Sequence, residues 1–180
     1  MNFKFQYLFL VIPVLFFTAC KSTVTVPELE ALQKMVANNH FEFTAGSANP
    51  MPMANVRGLE KLLPVGSNMS NINLIGNANY FRVKNDSIFF ELPYYGVRQI
   101  GSTYGSDVGL KFEGNPEKGT TTYNKKKKRY SIKYIVKTKD ESLNINLILF
   151  VNNKATLSIN SSHRSNINYN GTWQESINSK

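Results

Sequence analysis

The sequence predicts a mainly β protein, a small antiparallel barrel or sandwich preceded by one helix. Short segments that alternate apolar and polar residues recur from residue 40 onward, and turns containing asparagine or glycine separate them. One segment with helical apolar spacing comes before them. Many short strands at such close intervals are typical of all-β barrels and sandwiches.

The helix is predicted from Pro27 onward. Proline is favoured in the first helical turn, and Glu28 and Glu30 favour the positive end of the helix dipole. Asn38-Asn39 supplies a stop signal. Its apolar stripe consists of Leu29, Leu32, Met35 and Val36. Such a stripe indicates a packing face, so we expect the helix to cover one end of the sheet.

The strands follow from alternation and from the turn residues between them. Lys84-Asn85-Asp86 and Asn152-Asn153 are hairpin signals, because asparagine tolerates positive φ. Asn170-Gly171 is expected to end the last strand. The predicted strands are His40 to Ala45, Asn79 to Val83, Ser87 to Leu92, Val108 to Phe112, Thr120 to Tyr123, Tyr130 to Lys137, Leu143 to Val151, Ala155 to Ile159 and Ile167 to Tyr169.

Eight large side chains are expected to point into the barrel. They are Phe41, Phe43, Phe81, Phe89, Phe112, Tyr134, Leu147 and Leu157. An eight-stranded barrel can either be filled by such side chains or enclose one small ligand.

The N-terminus predicts an exported, lipid-anchored protein. The apolar run from Tyr7 to Phe17 is shorter than the roughly 20 residues that cross a membrane, and has the length of a signal-peptide core. Small residues then precede Cys20, the one cysteine in the sequence. We therefore expect residues 1–19 to be a lipoprotein signal peptide, Cys20 the lipidated residue, residues 20–26 a tether, and residues 27–180 a single domain.

A plain secretory signal with an incidental cysteine is the alternative, but it would leave a free thiol on an exported protein. Lys21 follows the cysteine, whereas inner-membrane lipoproteins carry aspartate there. The residues after it, up to Pro27, include no acidic tract typical of surface export. These features favour the periplasmic face of the outer membrane, with the membrane itself as a partner through the anchor.

The basic charge, +9 for the full sequence, predicts contact with anionic lipid or lipopolysaccharide phosphates. An exported chain without a nucleic-acid motif is not expected to bind nucleic acid. The dense run consists of Lys125, Lys126, Lys127, Lys128 and Arg129. Between two strands it is either a hairpin tip kept in water by self-repulsion or a contact for anionic headgroups.

The segment from Leu92 to Gly109 contains the candidate ligand-binding residues Tyr94, Tyr95 and Tyr104. Tyrosines offer flat apolar faces with a polar tip, and the interspersed glycines permit unusual backbone angles. The segment could grip a ligand at the barrel mouth. Alternatively, Pro93 ends the strand and the tyrosines pack over the barrel end.

Catalytic chemistry is not supported by the sequence. His40 and His163 are the two histidines, and neither has an acidic residue at ligand spacing. Asp140-Glu141 lies in a predicted turn, where adjacent acids are usually solvated. We therefore expect no enzyme activity, no cofactor and no metal.

The stretch Phe90-Glu91-Leu92-Pro93-Tyr94-Tyr95-Gly96 resembles a Leu-Pro-Tyr-Phe-Gly motif of an uncharacterised Bacteroidetes lipoprotein family, a domain of unknown function. Further matching stretches are Phe41 to Ala45, Gly109 to Gly114 and Ile167 to Gly171, in the same order. Residues 51–71 match poorly. The resemblance implies a lipocalin-like antiparallel β-barrel with an N-terminal helix and an envelope location, and it carries over no catalytic or binding residue.

Two functions remain open. The chain could be an anchored lipoprotein that binds a lipid or another hydrophobic small molecule in the barrel or at its mouth. It could instead be a non-catalytic structural lipoprotein of the outer membrane that binds an envelope protein. A cavity with a tyrosine-rich mouth is expected in the first case, and a barrel filled by side chains in the second.

Overall fold

The computed structural model describes residues 25–51, 63–100 and 109–176. The N-terminal helix is present as predicted, and α1 spans Val26–Ala37. The carboxylate of Glu28 accepts hydrogen bonds from the backbone N–H and the hydroxyl of Thr25, which closes the first turn. Asn39, at φ 47°, reverses the chain after the last turn.

In the described residues ten strands follow the helix: β1 His40–Pro50, β2 Ile72–Asn73, β3 Tyr80–Lys84, β4 Ser87–Leu92, β5 Leu110–Gly114, β6 Lys118–Asn124, β7 Arg129–Lys137, β8 Ser142–Phe150, β9 Lys154–Ser161 and β10 Ile167–Glu175. They form one antiparallel sheet in the order β5-β4-β3-β1-β10-β9-β8-β7-β6, and the short β2 pairs with β1. Asn85 and Asn153 take positive φ, so both asparagine hairpin turns are confirmed.

The strand order begins with β5 and ends with β6, and these two strands together take the place of one strand in the barrel. Alternation of direction along the order makes them run the same way, and only residues 115–117 connect them. Gly114 and Lys118 therefore lie at most about 15 Å apart. Because β5 pairs with β4 and β6 pairs with β7, the two segments act as one bent strand of an eight-stranded meander. Pairing of β1 with β10 joins the first and last strands.

The sheet curls around one core. Phe81 on β3 and Tyr134 on β7 are far apart in the strand order, yet their ring centroids are 6.2 Å apart. The helix contributes Leu32, Met35 and Val36 to the same core. The protein is thus mainly β, a lipocalin-like antiparallel barrel with one N-terminal helix, as predicted.

Large side chains fill the inward positions. Phe81 stacks on Phe90 at 5.5 Å, and Phe90 on Phe112 at 5.8 Å between ring centroids. The inward assignment of Phe89 was wrong, because Phe89 pairs across the strands with the outward Arg82, and the fully buried neighbour is Phe90. The fully buried inward residues include Phe41, Phe43, Phe81, Phe90, Leu147 and Leu157.

The last strand is longer than predicted, since β10 runs through Asn170-Gly171 to Glu175. The register between β1 and β10 shifts by one residue at Gly46, which forms a bulge. A Cβ on Gly171 would overlap the carbonyl oxygen of Thr44 and crowd Ala45. Glycine is therefore required here for close approach of two strands, and it does not mark a turn.

The alternating strand directions define two ends of the barrel. The helix end contains the α1–β1 junction and the β3–β4, β6–β7 and β8–β9 turns. The loop end contains the β7–β8 turn, the β9–β10 connection and the described residues that follow β1 and β4. No helix in the described part of the chain has the length and apolar character to cross a membrane.

Candidate functional site

The candidate site lies at the loop end, where the chain leaves β4 through Leu92-Pro93-Tyr94. The Tyr94 hydroxyl lies 2.9 Å from the carbonyl oxygen of Ser165 and 3.0 Å from that of Val97. It also lies 3.0 Å from the Ser165 hydroxyl. Tyr94 is therefore occupied in joining the segment after β4 to the connection between β9 and β10.

Gly96 lets the chain turn tightly around that tyrosine. A Cβ at this position would overlap the Tyr94 hydroxyl and would lie 2.6 Å from the Ser165 hydroxyl. The backbone N–H of Val97 then donates to the Ser165 hydroxyl at 3.0 Å. The spacing of tyrosine, glycine and valine thus follows from packing around one phenol ring.

A buried ion pair lies beneath this tyrosine. The Arg164 guanidinium donates from Nε to Glu141 Oε1 at 2.9 Å, and both side chains are only 6% exposed. The guanidinium also lies 5.1 Å from the centre of the Tyr94 ring and donates to the carbonyl oxygen of Gly109 at 3.0 Å. Glu141 accepts a further hydrogen bond from the Ser161 hydroxyl. The pair joins the β7–β8 turn, the β9–β10 connection and the start of β5.

The expectation that Asp140-Glu141 would be solvated is wrong for Glu141, although Asp140 is exposed. The turn directs Glu141 inward because its backbone N–H donates to the Thr138 hydroxyl at 3.0 Å and its carbonyl oxygen accepts from the Thr138 backbone N–H at 2.9 Å. Arg164 is distant in sequence, so no local pattern could have identified the pair.

Burial determines the protonation state of two tyrosines at this end. It raises the pKa of Tyr94 above its ordinary value despite the opposing hydrogen bond from Ser165, and it raises the pKa of Tyr169 further. The Tyr169 hydroxyl donates to the carbonyl oxygen of Pro93 at 2.8 Å. Both phenols stay neutral at physiological pH, so they serve as hydrogen-bonding and packing groups.

The remaining candidates of this segment differ in position. Tyr95 is half-buried and packs against the core, whereas Tyr104 lies outside the described residues.

Three exposed apolar side chains surround the β9–β10 connection: Met51, Val97 and Ile100, with 52%, 46% and 51% of their surfaces accessible. Backbone hydrogen bonds hold their residues to Asn166, Ser165 and His163, respectively. The loop end therefore presents exposed apolar side chains on the segments that flank the β9–β10 connection.

The basic run lies at the opposite end of the barrel. Lys125, Lys126, Lys127 and Lys128 form the exposed turn between β6 and β7, as predicted for a hairpin tip. The side-chain oxygen of Asn124 accepts from the backbone N–H of Lys127 at 2.9 Å, which fixes the turn. The Arg129 guanidinium lies 5.8 Å from the centre of the Phe150 ring.

A cleft of about 440 Å³ lies where β6 faces the β3–β4 turn. Gly119 and Thr121 of β6 line it together with Val83, Ile88 and Tyr134. Its rim is polar and includes Asn39, Asn85, Asp86 and Asn115. Hydrophobic ligands need a mostly apolar pocket, which this rim does not provide.

Within the described residues, no three histidine, cysteine, aspartate or glutamate side chains are grouped to hold a metal. His163 bonds the neighbouring Ser162 hydroxyl through Nδ1 at 2.6 Å, and His40 lies at the helix end. Cys20, the predicted lipidation site, lies outside the described residues.

Comparison with known proteins identifies the family of this chain. The structure is similar to the crystal structure of a DUF4251 family protein from Bacteroides eggerthii DSM 20697, with a TM-score of 0.55 and 13% sequence identity, over 83% of this chain and 88% of that chain. No curated protein sequence matches the chain. The model of DUF4251, a domain of unknown function, matches residues 26–173. The chain therefore belongs to the DUF4251 family.

Proposed function

We propose that this protein is a non-catalytic lipoprotein of the bacterial envelope, anchored in the outer membrane by lipid on Cys20 and facing the periplasm. The sequence around Cys20 supports the anchor, because an apolar run of signal-peptide length and small residues precede this one cysteine. The described domain begins at Thr25, so only a few residues separate it from the proposed anchor.

The packed interior supports a role at the surface of the barrel. The observation that carries this proposal is the complete burial of Phe41, Phe43, Phe81 and Phe90 on three neighbouring strands, with the ring of Phe81 6.2 Å from that of Tyr134 on the distant strand β7. Barrels that carry a ligand keep part of this volume open for it. A filled barrel serves instead as a rigid support for its turns and strand edges, so we propose contact with an envelope protein.

A second candidate is a hydrophobic ligand bound at the loop end. Met51, Val97 and Ile100 support it, because three exposed apolar side chains around one connection form a surface that an apolar molecule can cover. In this case the ligand would lie on the barrel end, over the half-buried Tyr95, and not inside the barrel.

The anchor is tested by fractionating cells of a Gram-negative host that express the wild-type chain or Cys20→Ala. The wild type is expected in the membrane fraction, and Cys20→Ala is expected folded and soluble in the periplasm. Circular dichroism of the variant checks the fold. Equal membrane partition of the two proteins would contradict the lipid anchor.

Native mass spectrometry separates the two candidate roles. The protein is purified from the envelope and incubated with host lipid extract. It is compared with the double variant Val97→Ser/Ile100→Ser and with the control Val65→Ser. Val65 is 95% exposed and does not flank the β9–β10 connection. A bare mass supports the protein-contact role. An added mass that the double variant loses and Val65→Ser keeps would support the ligand at the loop end.

A further inference from the structure

The turns of the helix end are strongly basic. In and beside them, the described residues include seven basic side chains and two acidic ones, Asp86 and Glu175. The basic residues are Lys84, Lys125, Lys126, Lys127, Lys128, Arg129 and Lys154. We call these seven residues the basic rim. None of them forms a salt bridge with another described residue.

The backbone of the lysine turn in the basic rim is held by local interactions. The hydrogen bond from the backbone N–H of Lys127 to Asn124 and the positive φ of Lys128 hold the β6–β7 turn in one conformation. Lys84 and Lys154 flank two other turns of the same end. The charges are therefore spread over three turns of one barrel end, where seven basic side chains face two acidic ones and form no salt bridge with them.

The loop end is different. Its buried arginine, Arg164, is neutralised by Glu141, and Asp140 lies beside Lys139 in the β7–β8 turn. Lys111 and Lys137 at this end also form salt bridges, with Glu91 and Glu117 respectively, whereas no residue of the basic rim forms one with a described residue. A solvated hairpin tip explains the exposure of one lysine run, but not the additional unpaired cations on neighbouring turns.

The helix end is also the first end of the barrel that the chain reaches after the proposed anchor. α1 ends at Ala37, beside the start of β1, and its 12 residues span about 18 Å. The tether of residues 20–26 adds about 20 Å when extended. The basic rim can therefore reach the membrane that holds the lipid on Cys20.

We infer that the basic rim is a membrane-facing surface that binds the phosphate groups of anionic lipids, so that the barrel stands with its helix end on the bilayer and its loop end directed away. This inference rests on the proposed lipid anchor. Lysine and arginine near an anionic bilayer are attracted to its headgroups, and the attraction weakens with salt. The orientation leaves Met51, Val97 and Ile100 accessible to a partner on the other side.

The test uses the full mature lipoprotein reconstituted into vesicles of phosphatidylcholine alone or of an equal mixture with phosphatidylglycerol. With Cys20 acylated, a new cysteine is a single labelling site, so a fluorophore is placed at Asn152→Cys at the helix end or at Lys139→Cys at the loop end. Headgroup-quencher lipids report which end lies near the bilayer. The label at position 152 should be quenched more than the label at 139, with a larger difference in the anionic vesicles.

Charge variants in the Asn152→Cys protein complete the test. Lys125→Gln/Lys126→Gln/Lys127→Gln should lose the effect of anionic lipid, whereas the control Lys111→Gln/Lys118→Gln/Lys139→Gln should keep it. Equal quenching of the two labels, or equal loss in both triple variants, would overturn the inference while leaving the anchor intact. Release of the wild-type protein from the vesicles by high salt would overturn the anchor and the inference together.

Discussion

Arg164 and Glu141, 23 positions apart, form an ion pair with an Nε–Oε1 distance of 2.9 Å and with only 6% of each side chain exposed. The pair ties together the β7–β8 turn and the β9–β10 connection, and the guanidinium supports the ring of Tyr94. The loop end is therefore organised around a charged group that water cannot solvate.

Glu141→Ala should lower the free energy of unfolding by about 3–5 kcal/mol, because it leaves the Arg164 charge buried without its partner. Asp140→Ala is the matched control, since its exposed carboxylate is adjacent in sequence and should change stability by no more than about 0.5 kcal/mol. Urea unfolding followed by circular dichroism measures both. Similar losses in the two variants would mean that the buried pair does not hold the loop end.

Gly171→Ala should destabilise the barrel by about 2 kcal/mol or more, because the new Cβ would overlap the carbonyl oxygen of Thr44 in the neighbouring strand. Gly46→Ala provides the comparison, since its Cβ would meet the nearest atom at 3.8 Å, an ordinary contact. Thermal unfolding of the two variants distinguishes them. A Gly171→Ala protein as stable as Gly46→Ala would show that β1 and β10 do not approach so closely.

Phe81→Ala should cost about 3–5 kcal/mol, because it opens a cavity in a filled barrel. Phe89→Ala removes the same side chain from the outward face of the neighbouring strand and should cost clearly less. The measurement is the denaturant midpoint of each variant. An equal or larger loss for Phe89→Ala would contradict the inward assignment of Phe81 and Phe90.

The stability of the protein should fall as the pH rises from 10 to about 12. Burial raises the pKa of Tyr134 from 10 to about 12, so over this range the unfolded chain loses the phenolic proton while the folded chain keeps it. The contribution is fully present below pH 10 and is lost as the pH passes the folded-state pKa. Tyr134→Phe should show a smaller decrease in melting temperature over the same interval. Identical pH profiles for the variant and the wild type would exclude this origin.

Local sequence patterns predicted most of the elements. The spacing of Leu32, Met35 and Val36 predicted the helix, and Asn85 and Asn153 predicted two hairpins, because helix faces and tight turns depend on neighbouring residues. Gly171 resembles a turn residue in sequence, and only the approach of Thr44 from the distant strand β1 explains why it lies within β10. The prediction for β4 was wrong by one residue: it pointed Phe89 into the barrel, whereas Phe90 is the residue that points inward.

The loop-end site was less predictable. The motif around Tyr94 indicated an unusual segment, and the alternative in which Pro93 ends the strand while the tyrosines pack over the barrel end matches the geometry of Tyr94. Glu141 and Arg164 lie in separate turns whose sequences carry no signal of their pairing. Such partners are determined by the closure of the barrel, and a single sequence contains no record of that contact.

The measurement that bears most directly on the membrane anchor is the intact mass of the protein purified from the envelope of a Gram-negative host. We predict a mass that corresponds to residues 20–180 with two acyl chains esterified to a glyceryl group on the Cys20 sulfur, with or without a third acyl chain as an amide on the Cys20 amino group. The full-length mass, or a cleaved chain with a free Cys20 thiol, would contradict the lipoprotein assignment and the membrane-facing orientation that depends on it.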